Sequence, residues 1–167
     1  NKDGEITQAD QYFTGKSPMP KVFMGLNSQF KYKNWDLGFN LRANFGHYVF
    51  NGFAADHTTL AHFNNQGFIN NYSVDAGKYG WTHTSENYQK TSDLYLENAS
   101  FLKMDNITVG YTFDKFFTDK ISGRVSASVQ NVFTITNYSG LDPETSAIDS
   151  NIWPRPRTFT VGLSLNF

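Results

Sequence analysis

From Val22 to Phe45 apolar and polar residues take turns, and few folds can accept such a run. Val22, Met24, Leu26, Phe30 and Tyr32 share one parity, with Asn27, Gln29 and Lys31 on the other. After Lys33-Asn34, Trp35, Leu37, Phe39, Leu41, Ala43 and Phe45 alternate with Asp36, Gly38, Asn40, Arg42, Asn44 and Gly46. A helix would scatter these apolar side chains around its axis, whereas a strand sends them all to one face. The pattern predicts two long strands joined by a tight turn at Lys33-Asn34, one face apolar and one wet.

The alternation returns three times. Ile107, Val109, Tyr111 and Phe113 enclose Thr108, Gly110 and Thr112. Val125, Ala127, Val129 and Phe133 alternate with Arg124, Ser126, Ser128 and Gln130, and Asn131 breaks the apolar face. Phe159, Val161, Leu163, Leu165 and Phe167 stand against Thr158, Thr160, Gly162, Ser164 and Asn166. Connections between the strands alternate as well: Lys33-Asn34 is very short, 47–100 is long, 114–123 is short and 136–157 is long. Short turns on one side and long loops on the other are the habit of an outer-membrane barrel. The two strands read from 22–45 match the ~9–11 residues that a tilted bilayer crossing needs.

Composition agrees with that architecture. The chain holds 16 Phe and 9 Tyr, yet hydrophobic residues reach only 39%, the mixture expected when every strand shows lipid on one face and water on the other. Rings of this kind concentrate at the two bilayer interfaces, and Trp35, beside the short turn, fits such a girdle. No window approaches the ~20 apolar residues of a spanning helix. A net charge of −1 argues against nucleic acid as a partner, and the absence of cysteine excludes disulfides and thiolate metal sites. Five antiparallel strands would leave two bare edges in hydrocarbon. With no initiator Met or signal peptide, the chain is therefore expected to be the C-terminal portion of a larger all-β, antiparallel transmembrane barrel. Its expected divisions are an extracellular loop at 1–21, a hairpin at 22–46, a long extracellular loop at 47–100 and the last three strands at 101–167.

Candidate chemistry is sparse. Asn1-Lys-Asp-Gly-Glu-Ile-Thr-Gln-Ala-Asp10 matches the later part of an EF-hand-type loop, with Asn1, Asp3, Glu5 and Asp10 as ligands of a structural calcium, Gly4 at the sharp turn and Ile6 as anchor. The alternative is a solvated acidic turn, since the first ligand is missing and Asp10 replaces a bidentate Glu. His47, His57, His62 and His83 fall in or beside the long loop without zinc-like spacing. No nucleophilic elbow or carboxylate pair is recognisable, so no catalytic residue and no enzyme activity is expected. Tyr72, Tyr79, Trp81, Tyr88, Tyr138 and Trp153 lie in the long loops, where rings can stack on sugars or pack on a partner; the alternative is an interfacial girdle or packing on their own loop. The wet parity would place Asn27, Gln29, Asn40, Arg42, Asn44, Arg124, Ser126 and Gln130 toward a lumen, because an Arg facing acyl chains is costly.

Thr160-Val-Gly-Leu-Ser-Leu-Asn-Phe167 resembles the assembly signal of bacterial outer-membrane barrels, with Thr160, Gly162, Leu165 and Phe167 as its marked positions. Such a strand would be presented to the barrel-assembly machinery by strand addition. Several stretches together resemble the C-terminal part of SusC-like (SusC/RagA) TonB-dependent transporters. They are Gly15-Lys-Ser-Pro-Met-Pro20, Gly25-Leu-Asn27, Tyr32-Lys-Asn-Trp-Asp-Leu37, Glu97-Asn-Ala-Ser-Phe-Leu-Lys103, Asn106-Ile-Thr-Val-Gly-Tyr111, Gln130-Asn-Val-Phe133, Tyr138-Ser-Gly-Leu-Asp-Pro-Glu144 and Pro154-Arg-Pro-Arg-Thr158. The resemblance implies about five strands of a roughly 22-stranded plugged barrel in the Gram-negative outer membrane. It also implies a SusD-like surface lipoprotein as partner, TonB acting through an N-terminal plug, contact with outer-membrane lipid, and an oligosaccharide or peptide substrate. A SusC-like structural or interaction subunit would carry the same motifs; a secreted all-β sugar-binding module fits them less well. Residues 47–92 carry no family motif, so individual ligand specificity is expected there.

Overall fold

Two-residue periodicity becomes five long strands in the computed structural model, which describes residues 8–58, 91–114, 121–150 and 153–166. The elements in chain order are β1 (Val22–Tyr32), β2 (Trp35–Phe45), β3 (Tyr48–Asn51), α1 (Gly52–Thr58), β4 (Leu96–Asn98), β5 (Phe101–Phe113), β6 (Ser122–Thr136), β7 (Ile148–Asp149) and β8 (Thr158–Asn166). Short 3-10 turns occupy Gln8–Asp10 and Asp93–Tyr95. Among the described residues no helix is long and apolar enough to cross a membrane. The chain divides into two compact units.

The strand unit comprises 20–45, 100–136 and 155–167. Its sheet has the order β1-β2-β5-β6-β8, so every neighbour in space is the next long strand in sequence. All pairings are antiparallel. Lys33 turns β1 into β2 with a left-handed φ of 53°, a conformation costing an L-residue about 1–2 kcal/mol. Its ammonium lies over the Tyr32 ring, 5.4 Å from the centroid.

Register aligns the apolar parity of each strand with that of its neighbours. Tyr32, Trp35, Tyr111, Val125 and Leu163 make one row across the sheet, and Phe30, Leu37, Val109, Ala127 and Val161 make the next. Trp35 and Tyr111 pack with centroids 4.9 Å apart at the turn end. The same face continues through Leu26, Leu41, Met104 and Phe133. Many side chains of these rows, Phe30, Tyr32, Val161 and Leu163 among them, are exposed on that face.

The third long strand begins at Phe101, not at Ile107 where the alternation becomes regular. Asn40 pairs with Asn106 but Leu41 pairs with Met104, so Asp105 is an extra residue, a β-bulge. It inverts the parity of β5, placing Leu102 and Met104 on the apolar face and Lys103 beside Arg42 on the wet one. β6 is irregular at the same level: Asn106 faces Gln130 and Met104 faces Phe133. Asn131, inside this irregularity, has a φ of 54°, which explains why it interrupts the apolar series.

The loop unit comprises 1–19, 46–99 and 137–154. Its described part is more ordered than a long connection implies. β3 pairs antiparallel with β4 and parallel with β7, giving a three-stranded sheet of order β4-β3-β7. The leading segment joins it through the Tyr48 N–H, which donates to Ser17 O at 2.9 Å. Val49, Ala99 and Tyr138 form its buried apolar cluster.

Candidate functional site

The wet face of the strand unit is built from residues of the second parity. Asn27, Asn40, Asn106 and Gln130 stand at one level in four successive strands, followed by Thr158. The neighbouring level holds Gln29, Gly38, Thr108, Ser128 and Thr160. Ser126 lies one level nearer the short turns, opposite Gly110 and Gly162, and Asn44 pairs with Phe23 and Phe101 near the far end of β2. Carboxamides and hydroxyls each donate and accept, so this surface can hydrate or hold neutral polar solutes.

Two ion pairs bracket the amide row. Arg42 donates to Asp105 through Nε and through a second nitrogen 2.7 Å from Oδ1. Arg124 grips Asp36 in the same two-pronged way, at 3.1 and 2.5 Å. The second pair connects β6 to β2 across the intervening β5, above Gly110. A Cβ at Gly110 would stand 2.6 Å from Asp36 Oδ1 and from the guanidinium carbon of Arg124. Glycine leaves the space that the bridge fills. Asp36, Asp105 and Asn106 are absent from the residues expected to face a lumen, although Asp36 lies on the wet parity. Their partners come from strands distant in sequence, and the clue available was a charge of opposite sign on the wet parity near the same turn.

The loop unit has its own polar centre. Asp149 is fully buried at 0% exposure, and its Oδ2 accepts from Tyr138 Oη at 3.1 Å and from the N–H groups of Leu141 and Asp142 at 3.1 and 3.2 Å. Glu97 accepts from Ser139 N and Oγ at 2.8 and 2.7 Å and from Asn51 Nδ2 at 3.0 Å. Asn51 also caps α1, its Oδ1 accepting from the Ala54 N–H at 2.9 Å. Glu97 thus ties the 46–99 connection to the 137–150 connection, while Asp149 binds 137–150 together from within.

Tyr138, one of the loop rings that could meet a ligand or partner or pack on its own loop, is only 6% exposed. Its hydroxyl has a buried carboxylate to bond, so the ring serves the interior of its own loop. Trp153 is 82% exposed, while Tyr79 and Trp81, like Tyr72 and Tyr88, lie outside the described residues. His47 is buried, with Nε2 3.0 Å from Pro143 O, and His57 Nδ1 lies 2.8 Å from Phe53 O. His62 and His83 lie outside the described residues. So do Asn1, Asp3 and Glu5 of the calcium-loop-like stretch, while Asp10 sits in a 3-10 turn. Among the described residues no group of three or more metal-ligating side chains is gathered. Thr160, Gly162 and Leu165 belong to β8 at the sheet edge, and Phe167 lies outside the described residues.

Burial, then the neighbouring Asp149 charge and the hydrogen bond to it, push the Tyr138 phenol above its ordinary value of 10.0. A raised phenol stays neutral in the folded unit while the unfolded chain ionises, so its stabilising effect is complete below pH ~10 and is lost as pH rises above that. Amide exchange in 137–150 is expected to accelerate above that pH, and Tyr138→Phe should blunt this alkaline step. An identical alkaline profile in the variant would refute the assignment.

No family model matches the chain. Its sequence is 42% identical over 175 residues to the TonB-dependent receptor SusC of Bacteroides thetaiotaomicron, covering 100% of this chain and 17% of that protein. It is 26% identical over 181 residues to the TonB-dependent receptor P3 of Formosa agariphila, covering 99% of this chain and 18% of that protein. The chain therefore spans less than a fifth of the length of these relatives. Among solved structures it is similar to the RagAB peptide importer in the closed-closed state, with a TM-score of 0.70 and 21% identity over 99% of this chain and 20% of that one. A second structure, of the RagAB peptide transporter, matches with a TM-score of 0.66 and 22% identity over 91% of this chain and 18% of that one. The sheet thus has the fold of part of a larger barrel.

Proposed function

Since this chain belongs to the SusC-like (SusC/RagA) TonB-dependent receptors, we propose that its five long strands form part of the hydrophilic wall of an outer-membrane import path for oligosaccharides or peptides. The observation that carries this reading is the register: it collects Asn27, Gln29, Asn40, Arg42, Ser126 and Gln130 on one face, with the apolar rows on the other. Asn44 and Arg124 extend that face toward its two ends. A largely polar wall suits a water-filled passage, and Arg42 and Arg124 are each paired on it with a carboxylate.

In this reading the long connections face the cell exterior, where a SusD-like lipoprotein covers the barrel, and TonB acts through a plug domain elsewhere in the receptor. β8, with Thr160, Gly162, Leu165 and Phe167, would be the strand offered to the barrel-assembly machinery. A structural calcium held by Asn1, Asp3, Glu5 and Asp10 would brace the leading loop. Deleting the receptor gene is expected to abolish growth on, and uptake of, a defined set of oligosaccharides or peptides, with recovery on complementation by the full-length gene. Unchanged uptake across glycan and peptide panels, with the receptor still present in an outer-membrane complex, would favour the structural-subunit reading instead.

A further inference from the structure

Alternation alone cannot fix how β8 pairs with β6. Sliding β8 by one residue would turn Thr158, Thr160, Gly162 and Ser164 toward the apolar face, which is strongly disfavoured. Sliding it by two residues keeps every side chain on its proper face. Phe159, Val161, Leu163 and Leu165 are all bulky and apolar, and Thr158, Thr160, Gly162 and Ser164 are all small or polar. The strand is close to self-similar under that shift, yet β6 and β8 adopt one register, running from Ser122↔Asn166 to Gln130↔Thr158.

The ladder stops at Gln130↔Thr158, and the next residue on β6 is Asn131. Its left-handed φ of 54° takes it out of the regular strand, a conformation that Asn tolerates better than most residues. There its Nδ2 donates to Arg155 O at 2.9 Å and to Pro156 O at 3.4 Å. In return Arg157 Nε donates to Asn131 O at 3.3 Å. Pro154 and Pro156 have no N–H and cannot extend the ladder themselves. The bonds at Asn131 are therefore tied to one position of the 155–157 segment, and a two-residue slide would part them.

We infer that Asn131, with Arg157, is a register lock that selects the native pairing of β8 over pairings displaced by two residues. The lock joins two sequence stretches, Gln130-Asn-Val-Phe133 and Pro154-Arg-Pro-Arg-Thr158, and gives both a shared physical task. It concerns the assembly of the wall and is independent of what the wall transports.

Cysteine pairs in the full-length receptor, in a cysteine-free background, read the register directly. Ser128→Cys with Thr160→Cys reports the native pairing, on the wet face where an oxidant has access. Ser128→Cys with Gly162→Cys, or with Thr158→Cys, reports the two displaced pairings. In the native register those diagonal positions are about 7–8 Å apart, beyond the roughly 4.4–6.8 Å that a disulfide spans. With Asn131 intact, oxidation of outer membranes is expected to cross-link the native pair and leave the displaced pairs at background. Asn131→Gly keeps the left-handed backbone and removes the amide; the displaced-to-native ratio should rise about fivefold, as loss of hydrogen bonds of ordinary strength allows. Arg157→Ala should move the ratio in the same direction by less, and the double variant by more. An unchanged ratio in Asn131→Gly overturns the lock. Should that variant fail to accumulate in the membrane, the ratio in Arg157→Ala decides: a rise supports the lock and no change overturns it.

Discussion

A receptor carrying Leu41→Arg is expected to reach the outer membrane at a small fraction of the parent level, whereas Arg42→Leu should assemble nearly as well as the parent. The two positions are adjacent in β2 but belong to opposite faces. Leu41 stands in the row Leu26, Leu41, Met104 and Phe133. An arginine there would meet acyl chains, at about 2–4 kcal/mol if the row lies near the bilayer midplane. That is a large share of the stability of most folded chains. Arg42→Leu removes the two-pronged contact to Asp105, but that pair is substantially exposed, with side-chain exposures of 45% and 29%. Such pairs contribute at most about 1 kcal/mol. Equal amounts of the two variants, measured by surface labelling and by heat-modifiable migration, would mean that the faces are assigned the wrong way round.

The second large effect belongs to the loop unit. Asp149→Ala is expected to loosen 137–150 together with the strands it pairs. The substitution deletes the acceptor for the Tyr138 hydroxyl and for two backbone N–H groups in a fully buried place. Each buried donor left without a partner costs about 1–3 kcal/mol, so the combined loss is on the order of 3 kcal/mol or more. Because β7 contains Asp149 and pairs with β3, the disturbance should spread to Tyr48–Asn51. Hydrogen exchange or limited proteolysis of the intact receptor would register it as faster opening of both segments. Asp149→Asn, which keeps one carbonyl acceptor of similar shape, should recover part of the protection. Protection in Asp149→Ala equal to the parent would show that these donors find other acceptors.

Long strands were legible in the sequence wherever one parity persisted, and they became obscure wherever it changed. Ile107 to Phe113 could be recognised because β5 is regular there, while Phe101 to Met104 could not, because the extra residue Asp105 exchanges the two faces. A single template slid along the sequence sees two short unrelated runs where the chain makes one strand. Asn131 looked like a flaw in β6; its left-handed backbone and its bonds to 155–156 make it a junction. β3, β4 and β7 are too short for periodicity to register, and the parallel β3–β7 pair joins residues almost a hundred positions apart in sequence. The polar face could be read from alternation alone, but the Asp36–Arg124 bridge over Gly110 could not, since it requires the register of three strands at once.

Tyr138 carries a related lesson. An aromatic residue in a long polar connection reads as exposed, yet the Asp149 carboxylate and the Val49 and Ala99 side chains give its two ends separate reasons to be inside. What distinguishes it from Trp153 is the company each keeps in three dimensions, which neither residue type nor loop length reveals.

Because β7 is contributed by one connection and β3 and β4 by the other, the two hairpin ends cannot diversify separately. Exchanging 46–99 alone with a related receptor would strand half of a shared sheet and break the Glu97–Ser139 tie. A graft intended to transfer recognition between receptors should move 46–99 and 137–154 as one cassette.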